Sequence, residues 1–252
     1  PPPPPPHHPA PPRRSSDLLN SAEVKNFKTW AGGPSPEQRL PARPGLNRFA
    51  WNLRTEPIPA VQNVFVMGGL GGTRVVPGVY TLRLSTDQEG LGPVEVQATV
   101  LSDPRINATK EDYQQQRAAL KRIAELARDV HLSVNRLRQV KSQLAARLRL
   151  IKEIKGTESL VSTGQAAMKE IARWEAQLIQ SKQETFQDVI NFPNRLNAEL
   201  LTLASSLDTN DPRPTKSSIE RLDELASQWT TLKKEYRSIV DGSIRQFNDN
   251  YQ

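Results

Sequence analysis

Apolar and polar residues alternate along several short runs in the first part of the chain, and this pattern predicts β-strands. The clearest runs lie at 47–53, 79–85 and 94–101, where every second side chain is apolar. Because successive side chains of a strand point to opposite faces, each run would place one face on a core and the other in water. A weaker pattern at 22–30 predicts a fourth strand.

The spacing of the apolar residues then changes to alternating steps of three and four. Thr109 followed by Asp112 forms a capping-box pattern, which marks a helix start. The steps continue for more than four heptads, with one skipped position at Lys141, up to the terminator Gly156. They predict a single helix over 109–155. Its apolar stripe consists of Leu120, Ile123, Ala127, Val130, Val134, Leu137, Leu144, Leu148 and Ile151.

Three further helices are predicted, each with one narrow apolar stripe. The second covers 158–190 and ends at "NFPNR", because proline lacks an amide hydrogen and crowds the preceding turn. The third covers 196–207. After a loop at 208–214, the last helix is expected to open at Ser217, with Glu220 as its capping partner. Helices of this kind must pack on each other, and short connections favour antiparallel neighbours.

These patterns predict an α+β fold in which a small antiparallel β domain at 17–104 precedes an elongated antiparallel four-helix bundle at 105–252. Residues 1–16 form a proline-rich, stiff linker. Since the sequence opens with six prolines, we expect it to be part of a longer protein cut at a linker. No run of eighteen apolar residues occurs, so no membrane span is predicted.

Four glycines in "GGLGGTRVVPGVYTLRL", residues 68–84, raise the question of a phosphate-binding loop. A Walker-type loop needs a lysine followed by serine or threonine, and a dinucleotide loop needs a helix directly behind it. Here Thr73 follows the last glycine, and Pro77 precedes a strand pattern. The segment is therefore predicted to be a flexible turn that leads into a strand.

Positive charge is concentrated in the first long helix, although the whole chain carries only +7. A stretch from His131 to Lys152 contains basic residues and no acidic ones, which would suit non-specific binding of nucleic acid or another anionic surface. No aromatic residues are interleaved for base stacking, and the later helices are net acidic, so pairing within the bundle is favoured over nucleic acid. The candidate interaction residues are Arg136, Arg138, Lys141, Arg147, Arg149 and Lys152.

Catalytic, cofactor and metal sites are not predicted. The chain has no cysteine, which excludes disulfides and thiolate chemistry, and it lacks a Gly-x-Ser-x-Gly or Glu-x-x-His motif. His131 lies beside the apolar stripe and is interpreted as a surface or boundary side chain. His7 and His8 could pair on a metal, but no third ligand lies nearby, so a plain linker pair is favoured.

Two β motifs resemble those of a known family. "PGLNRFAWNLR" at 44–54 and "GGTRVVPGVYTLRL" at 71–84 are similar to the immunoglobulin-like domain of the flagellar hook-capping family. The whole order, with "DPR" at 103–105 and "PTKSSIERLDEL" at 214–225, resembles the C-terminal region of bacterial proteins with sortilin-like or sialidase-type (BNR-like) repeat propellers, often labelled glycosyl hydrolases. The usual aspartate after the tryptophan is Asn52 here.

The resemblance implies an immunoglobulin-like β-sandwich before the helical bundle, an upstream propeller as a partner, and a periplasmic or secreted location. No catalytic residue can be carried over, because any hydrolytic site would lie in the propeller. Three functions are therefore open. They are a non-catalytic accessory module for domain docking or protein interaction, part of a glycoside-hydrolase-like enzyme, and a binder of nucleic acid or anionic surfaces through the basic helix.

Overall fold

The computed structural model describes residues 44–66, 68–85 and 92–251. It has an α+β fold that combines one two-stranded antiparallel sheet with several helices. The strands are β1 (Gly78–Leu84) and β2 (Val94–Val100). The helices are α1 (Lys110–Ile151), α2 (Glu158–Leu178), α3 (Leu196–Leu207), α4 (Lys216–Ser238) and α5 (Arg245–Tyr251), with a 3₁₀ turn at Phe186–Ile190 and a π-helical turn at Ile239–Ile244.

The sheet is a ribbon, and the described residues do not cover its apolar face. β1 and β2 pair from Gly78 opposite Val100 to Leu84 opposite Val94, close to the predicted strand limits. The prediction of a strand at 47–53 is wrong, since this segment is irregular. Directly after it, Arg54 forms an isolated backbone β-bridge with Arg74. The predicted strand at 22–30 lies outside the described residues. Four side chains of the apolar face are 40–67% exposed: Leu82, Leu84, Val94 and Val96.

α1 matches its prediction closely. Thr109 accepts a hydrogen bond from the Asp112 amide at 3.1 Å, and the Asp112 carboxylate accepts one from the Thr109 amide at 2.8 Å. This capping box satisfies two amides that the first turn would leave without partners. With 42 residues, α1 is about 63 Å long. Every residue of its predicted apolar stripe is buried.

α2 ends at Leu178, twelve residues before its predicted end at 190. Ile179 is buried in an extended conformation, so the apolar pattern continues although the helix does not. The buried Gln183 amide donates to the Phe192 carbonyl at 2.5 Å and to Asn194 Oδ1 at 3.2 Å. These two hydrogen bonds hold the loop that follows α2 and satisfy its polar groups. Gln183 could not make them if the helix continued.

The start of α4 also differs slightly from its prediction. The N-cap is Thr215, whose hydroxyl accepts the Ser218 amide at 3.2 Å, so α4 begins at Lys216 rather than at Ser217. Glu220, the predicted capping partner, instead lies 3.5 Å from the Lys216 ammonium. α4 then continues through the π-helical turn into α5 without interruption.

Within the described part of the chain, the helices form three rods and not the predicted four-helix bundle. α2 and α3 both run antiparallel to α1 and follow each other end to end. α4 and α5 run parallel to α1. The antiparallel contacts join Arg138 to Glu175 and Gln116 to the Leu207 carbonyl. The parallel contacts join Arg122 to Asp223, Asp129 to Trp229 and Arg147 to Asn248. The second rod, made of α2 and α3, is therefore broken between Leu178 and Leu196.

An extended segment packs in the groove between α1 and α3. We call residues 56–66 and 68–72 the strap. It runs along α1, reverses near Asn63, where φ is +55°, and returns along α3. Its residues Ile58, Val61, Val66 and Leu70 belong to the same hydrophobic core as the helices. The core thus extends across the predicted division at residue 104.

Candidate functional site

The glycine-rich part of the strap serves close packing. Gly68 has φ +101°, and a Cβ there would lie 2.7 Å from the Cβ of Leu201 on α3. A Cβ at Gly72 would lie 1.8 Å from the Thr55 carbonyl oxygen. Real side chains cannot occupy such positions without movement of the backbone. The next regular element is β1, as predicted, and no helix follows whose N-terminal amides could bind a phosphate.

One stripe of α1 holds the outgoing half of the strap through backbone carbonyls. The stripe residues are spaced by three, four and three positions, so they share a face of the helix. Each donates a hydrogen bond to a different strap carbonyl. The pairs are Arg128 to Pro57 at 3.3 Å, His131 to Pro59 at 2.7 Å, Asn135 to Ala60 at 2.9 Å and Arg138 to Gln62 at 2.5 Å. Because a carbonyl oxygen only accepts hydrogen bonds, the α1 side chain is the donor in each of the four pairs.

His131 is the most buried member of this stripe. It is 1% exposed, so its interpretation as a surface or boundary residue is wrong. Since the Pro59 carbonyl can only accept, Nδ1 carries a proton, and burial of the ring disfavours a second proton on Nε2. Burial lowers the pKa of His131 from 6.5 to about 4, partly opposed by the hydrogen bond to Pro59. Nε2 is buried and has no hydrogen-bond partner among the described residues.

A second contact set ties the strap ends to α3. Arg54 Nη1 lies 2.6 Å from Asp208 Oδ2 and 2.7 Å from the Gly72 carbonyl oxygen. Arg74 Nε lies 3.4 Å from the other Asp208 oxygen, and Arg74 Nη1 donates to Asn210 Oδ1 at 2.6 Å. The Asp208 side chain is only 15% exposed. We call Arg54, Arg74 and Asp208 the clamp, because together they fix both ends of the strap.

The first residues of β1 connect the ribbon to the strap and the clamp. Trp51 meets Tyr80 of β1 edge to face, with ring centroids 5.5 Å apart, and its indole donates to the Arg54 carbonyl at 3.1 Å. Burial raises the pKa of the Tyr80 phenol, and the nearby Arg117 guanidinium on α1 partly opposes this. The ribbon therefore starts against the helices, near the N-terminal end of α1.

The six candidate basic residues do not act as one group. Arg138 is engaged with Glu175 at 2.6 Å and with the strap. Arg147 lies over the Tyr251 ring, 5.4 Å from its centroid. Lys152 lies 3.3 Å from Glu153. Among the described residues, no side-chain hydrogen bond or ion pair involves the remaining three, which are Arg136, Lys141 and Arg149.

Sequence reasoning missed most of the residues that hold the strap. Arg54 and Arg74 lie within the two quoted β motifs and Asp208 lies in the predicted loop at 208–214, but nothing in the sequence indicates that the three side chains meet. Arg128 and Asn135 could have been found, since they extend the spacing of His131 and Arg138 into a polar stripe beside the apolar one.

Another surface feature is a cleft between two helices. An open cleft of about 290 Å³ between α1 and α4 is lined by Asp129, Trp229, Thr230, Lys233, Lys234 and Arg237. Its only carboxylate, Asp129, accepts the Trp229 indole at 2.9 Å and the Lys233 ammonium, so it is not free to act as a base. Within 44–66, 68–85 and 92–251, no three His, Asp or Glu side chains are grouped to hold a metal ion.

No helix in the described part of the chain is long and apolar enough to cross a bilayer. In comparisons with known proteins, no family model, no curated protein and no solved structure matches this chain.

Proposed function

We propose that the chain is a non-catalytic accessory module that acts as a rigid scaffold. It holds a β module against the end of a long helical bundle and presents both for docking to other domains or proteins. The sequence resemblance supports placing it in an extracytoplasmic protein with an upstream sialidase-type propeller. If that protein is a glycoside hydrolase, its active site lies in the propeller and the present chain positions it.

The observation that carries this proposal is the clamp at Asp208. A flexible tether between a β module and a bundle would need no such contacts. Here the carboxylate joins Arg54 and Arg74, which flank the strap, to the end of α3. Arg54 and Arg74 also form an antiparallel backbone β-bridge, and the Val75 amide donates to the Leu53 carbonyl at 2.9 Å. These backbone contacts lie just before β1 in the chain. The contacts support a fixed angle between the ribbon and the rods.

The immunoglobulin-like form of the β module is part of the same proposal. A two-stranded ribbon alone is marginally stable in water, and its apolar face needs a covering layer. The proposed cover is residues 17–43 of this chain, which include the predicted strand at 22–30. Trp51 supports this assignment, because its ring meets Tyr80, whose side chain lies on the same face of β1 as Leu82 and Leu84.

Distances between spin labels test the rigidity of the scaffold. The chain has no cysteine, so a label pair can be introduced at Thr81→Cys on β1 and Ser142→Cys on α1, which are both exposed. A control pair at Gln115→Cys and Ser142→Cys lies within α1, about 40 Å apart. We expect distance distributions of similar width for both pairs in pulsed dipolar spectroscopy. A distribution several times broader for the ribbon pair would contradict a rigid scaffold.

A further inference from the structure

We propose that His131 is a proton-operated latch, whose neutral ring keeps the strap in its groove and whose protonation releases the strap while the three helical rods stay folded. Nothing in the proposed scaffold function requires such a device. The latch would let acidification alter the connection between the ribbon and the rods.

The first support is the position of the unpartnered ring nitrogen. Nδ1 is bound to the Pro59 carbonyl, so the second proton would enter at Nε2, which is buried without a partner. A cavity of about 10 Å³ adjoins His131, which is room for no more than one water molecule. A cationic ring in this position would lack the solvation that it has in water.

The second support is the absence of a compensating charge around the ring. The cavity is lined by strap residues and one residue of α3, and none of them is ionisable: Ala60, Val61, Val64, Val66, Leu70 and Asn197. The strap itself carries no titratable residue after Glu56. Among the described residues that line the cavity, there is thus no carboxylate to stabilise an imidazolium.

The charged groups on the neighbouring turns are engaged elsewhere. On α1, Arg128 lies 3.6 Å from Glu56, Asp129 faces Trp229 and Lys233, and Arg138 pairs with Glu175. On α3, the single acidic residue Glu199 lies 3.2 Å from Arg221 of α4. Loss of solvation on burial is therefore what lowers the pKa of His131.

The strap is the element that would move, because it forms most of the wall around the ring. Apart from His131 itself, six residues line the cavity; five of them belong to the strap, and Asn197 comes from α3. Lifting the strap hydrates Nε2 at once. Opening the rods would instead expose the stripe of α1 that contacts α2, α3 and α4, including the fully buried Ile123, Ala127 and Val130.

Hydrogen exchange at a series of pH values tests the latch on the whole chain. After correction for intrinsic exchange, we expect strap amides to lose protection about tenfold for each pH unit between 6.5 and about 4. Amides in the middle of α1 and α4 should keep their protection over the same range. In His131→Gln, which can still donate to Pro59 but cannot be protonated, strap protection should stay constant.

A second measurement follows the titration of His131 in the wild-type chain itself. The histidine ring signal that is missing from the His131→Gln spectrum identifies His131 in the wild-type NMR spectrum, and its titration should coincide with strap release. Equal loss of strap protection in wild type and His131→Gln would overturn the proposal. So would simultaneous loss of protection in the strap and the rods, or a His131 signal that titrates without any change in the strap.

Discussion

Asp208, the C-cap residue of α3, accepts a hydrogen bond from Arg54, which lies 154 residues earlier in the chain. The same carboxylate faces Arg74. One partly buried acidic side chain thus connects the N-terminal β region to the broken second rod. Its importance can be measured separately from that of the many exposed ion pairs.

Replacing Asp208 with alanine should lower the free energy of unfolding by about 1–2 kcal/mol, because two guanidinium groups lose their shared partner. The matched control is Asp223→Ala, which removes an ion pair with Arg122 whose side chains are 46% and 60% exposed. That change should stay within about 0.5 kcal/mol. Urea unfolding followed by circular dichroism gives both values, and equal effects would argue against a special role for the clamp.

The glycines of the strap should respond to alanine in two distinct ways. Gly72→Ala would push a Cβ into the Thr55 carbonyl and should cost about 2–4 kcal/mol. Gly71→Ala meets open space, and its φ lies outside the left-handed region, so it should be neutral or stabilise by up to about 1 kcal/mol.

Thermal unfolding of Gly71→Ala and Gly72→Ala provides the measurement, with wild type alongside. Gly69→Ala serves as a second control, since its Cβ also meets no atom. If Gly72→Ala melts like Gly71→Ala, the close approach to Thr55 does not exist in solution.

The helical part was predictable where its signals are local. The capping box of α1 depends on residues three positions apart, and its stripe on steps of three and four, so both could be predicted from the sequence. The end of α2 could not. Ile179 continues the apolar pattern but does so in an extended conformation, and Gln183 finds its partners in Phe192 and Asn194 only after the loop has folded.

The predicted number of four packed helices was wrong for a related reason. The break after α2 was predicted at "NFPNR", but a broken helix can either reverse direction or continue in line. The choice depends on what fills the groove. Here the strap occupies the space beside α1 and α3, and Phe65 meets Phe186 edge to face at 5.6 Å near the break. The apolar residues of the strap have no regular spacing, so the hydrophobic periodicity of the sequence does not predict its position.

The candidate site was predictable only in part. Arg138 was named for its charge, whereas its contacts are with the Gln62 carbonyl and Glu175. His131 was noticed, but its burial depends on strap residues more than 60 positions earlier in the chain. Contacts between segments this distant leave no local trace in a single sequence.

The basic residues of α1 should differ in their contribution to stability, according to whether their side chains have partners within the chain. Arg138→Ala removes bonds to Glu175 and to the strap and should destabilise the chain by about 1–3 kcal/mol. Arg149→Ala, at an exposed position, should change stability by less than about 0.5 kcal/mol. Chemical denaturation measures both, and comparable losses would contradict the division.

Heparin affinity tests whether the free basic residues form a binding surface. Because Arg138, Arg147 and Lys152 have partners within the chain, we expect only weak retention that moderate salt abolishes. The variant Arg136→Gln with Arg149→Gln should elute close to wild type. Strong, salt-resistant retention that this double variant removes would favour the anionic-surface function instead.

The apolar face of the ribbon should be reachable from the N-terminal segment, if residues 17–43 complete the β module. Val96→Cys can be combined in turn with cysteine at Val24, Phe27 or Trp30, with no other thiol in the chain. Since a disulfide needs Cβ atoms about 3.5–4.5 Å apart, at least one pair should form an intramolecular bond under mild oxidation.

The control for this experiment is Gln97→Cys, which lies on the opposite face of β2. With the same three partners it should remain largely reduced, as measured by the mobility of the oxidised chain in non-reducing gels and by peptide mass. Equal crosslinking from both faces would indicate random encounter. Exclusively intermolecular bonds through Val96→Cys would assign the apolar face to a second copy of the chain, and the immunoglobulin-like proposal would then fail, because its covering layer must come from the same polypeptide.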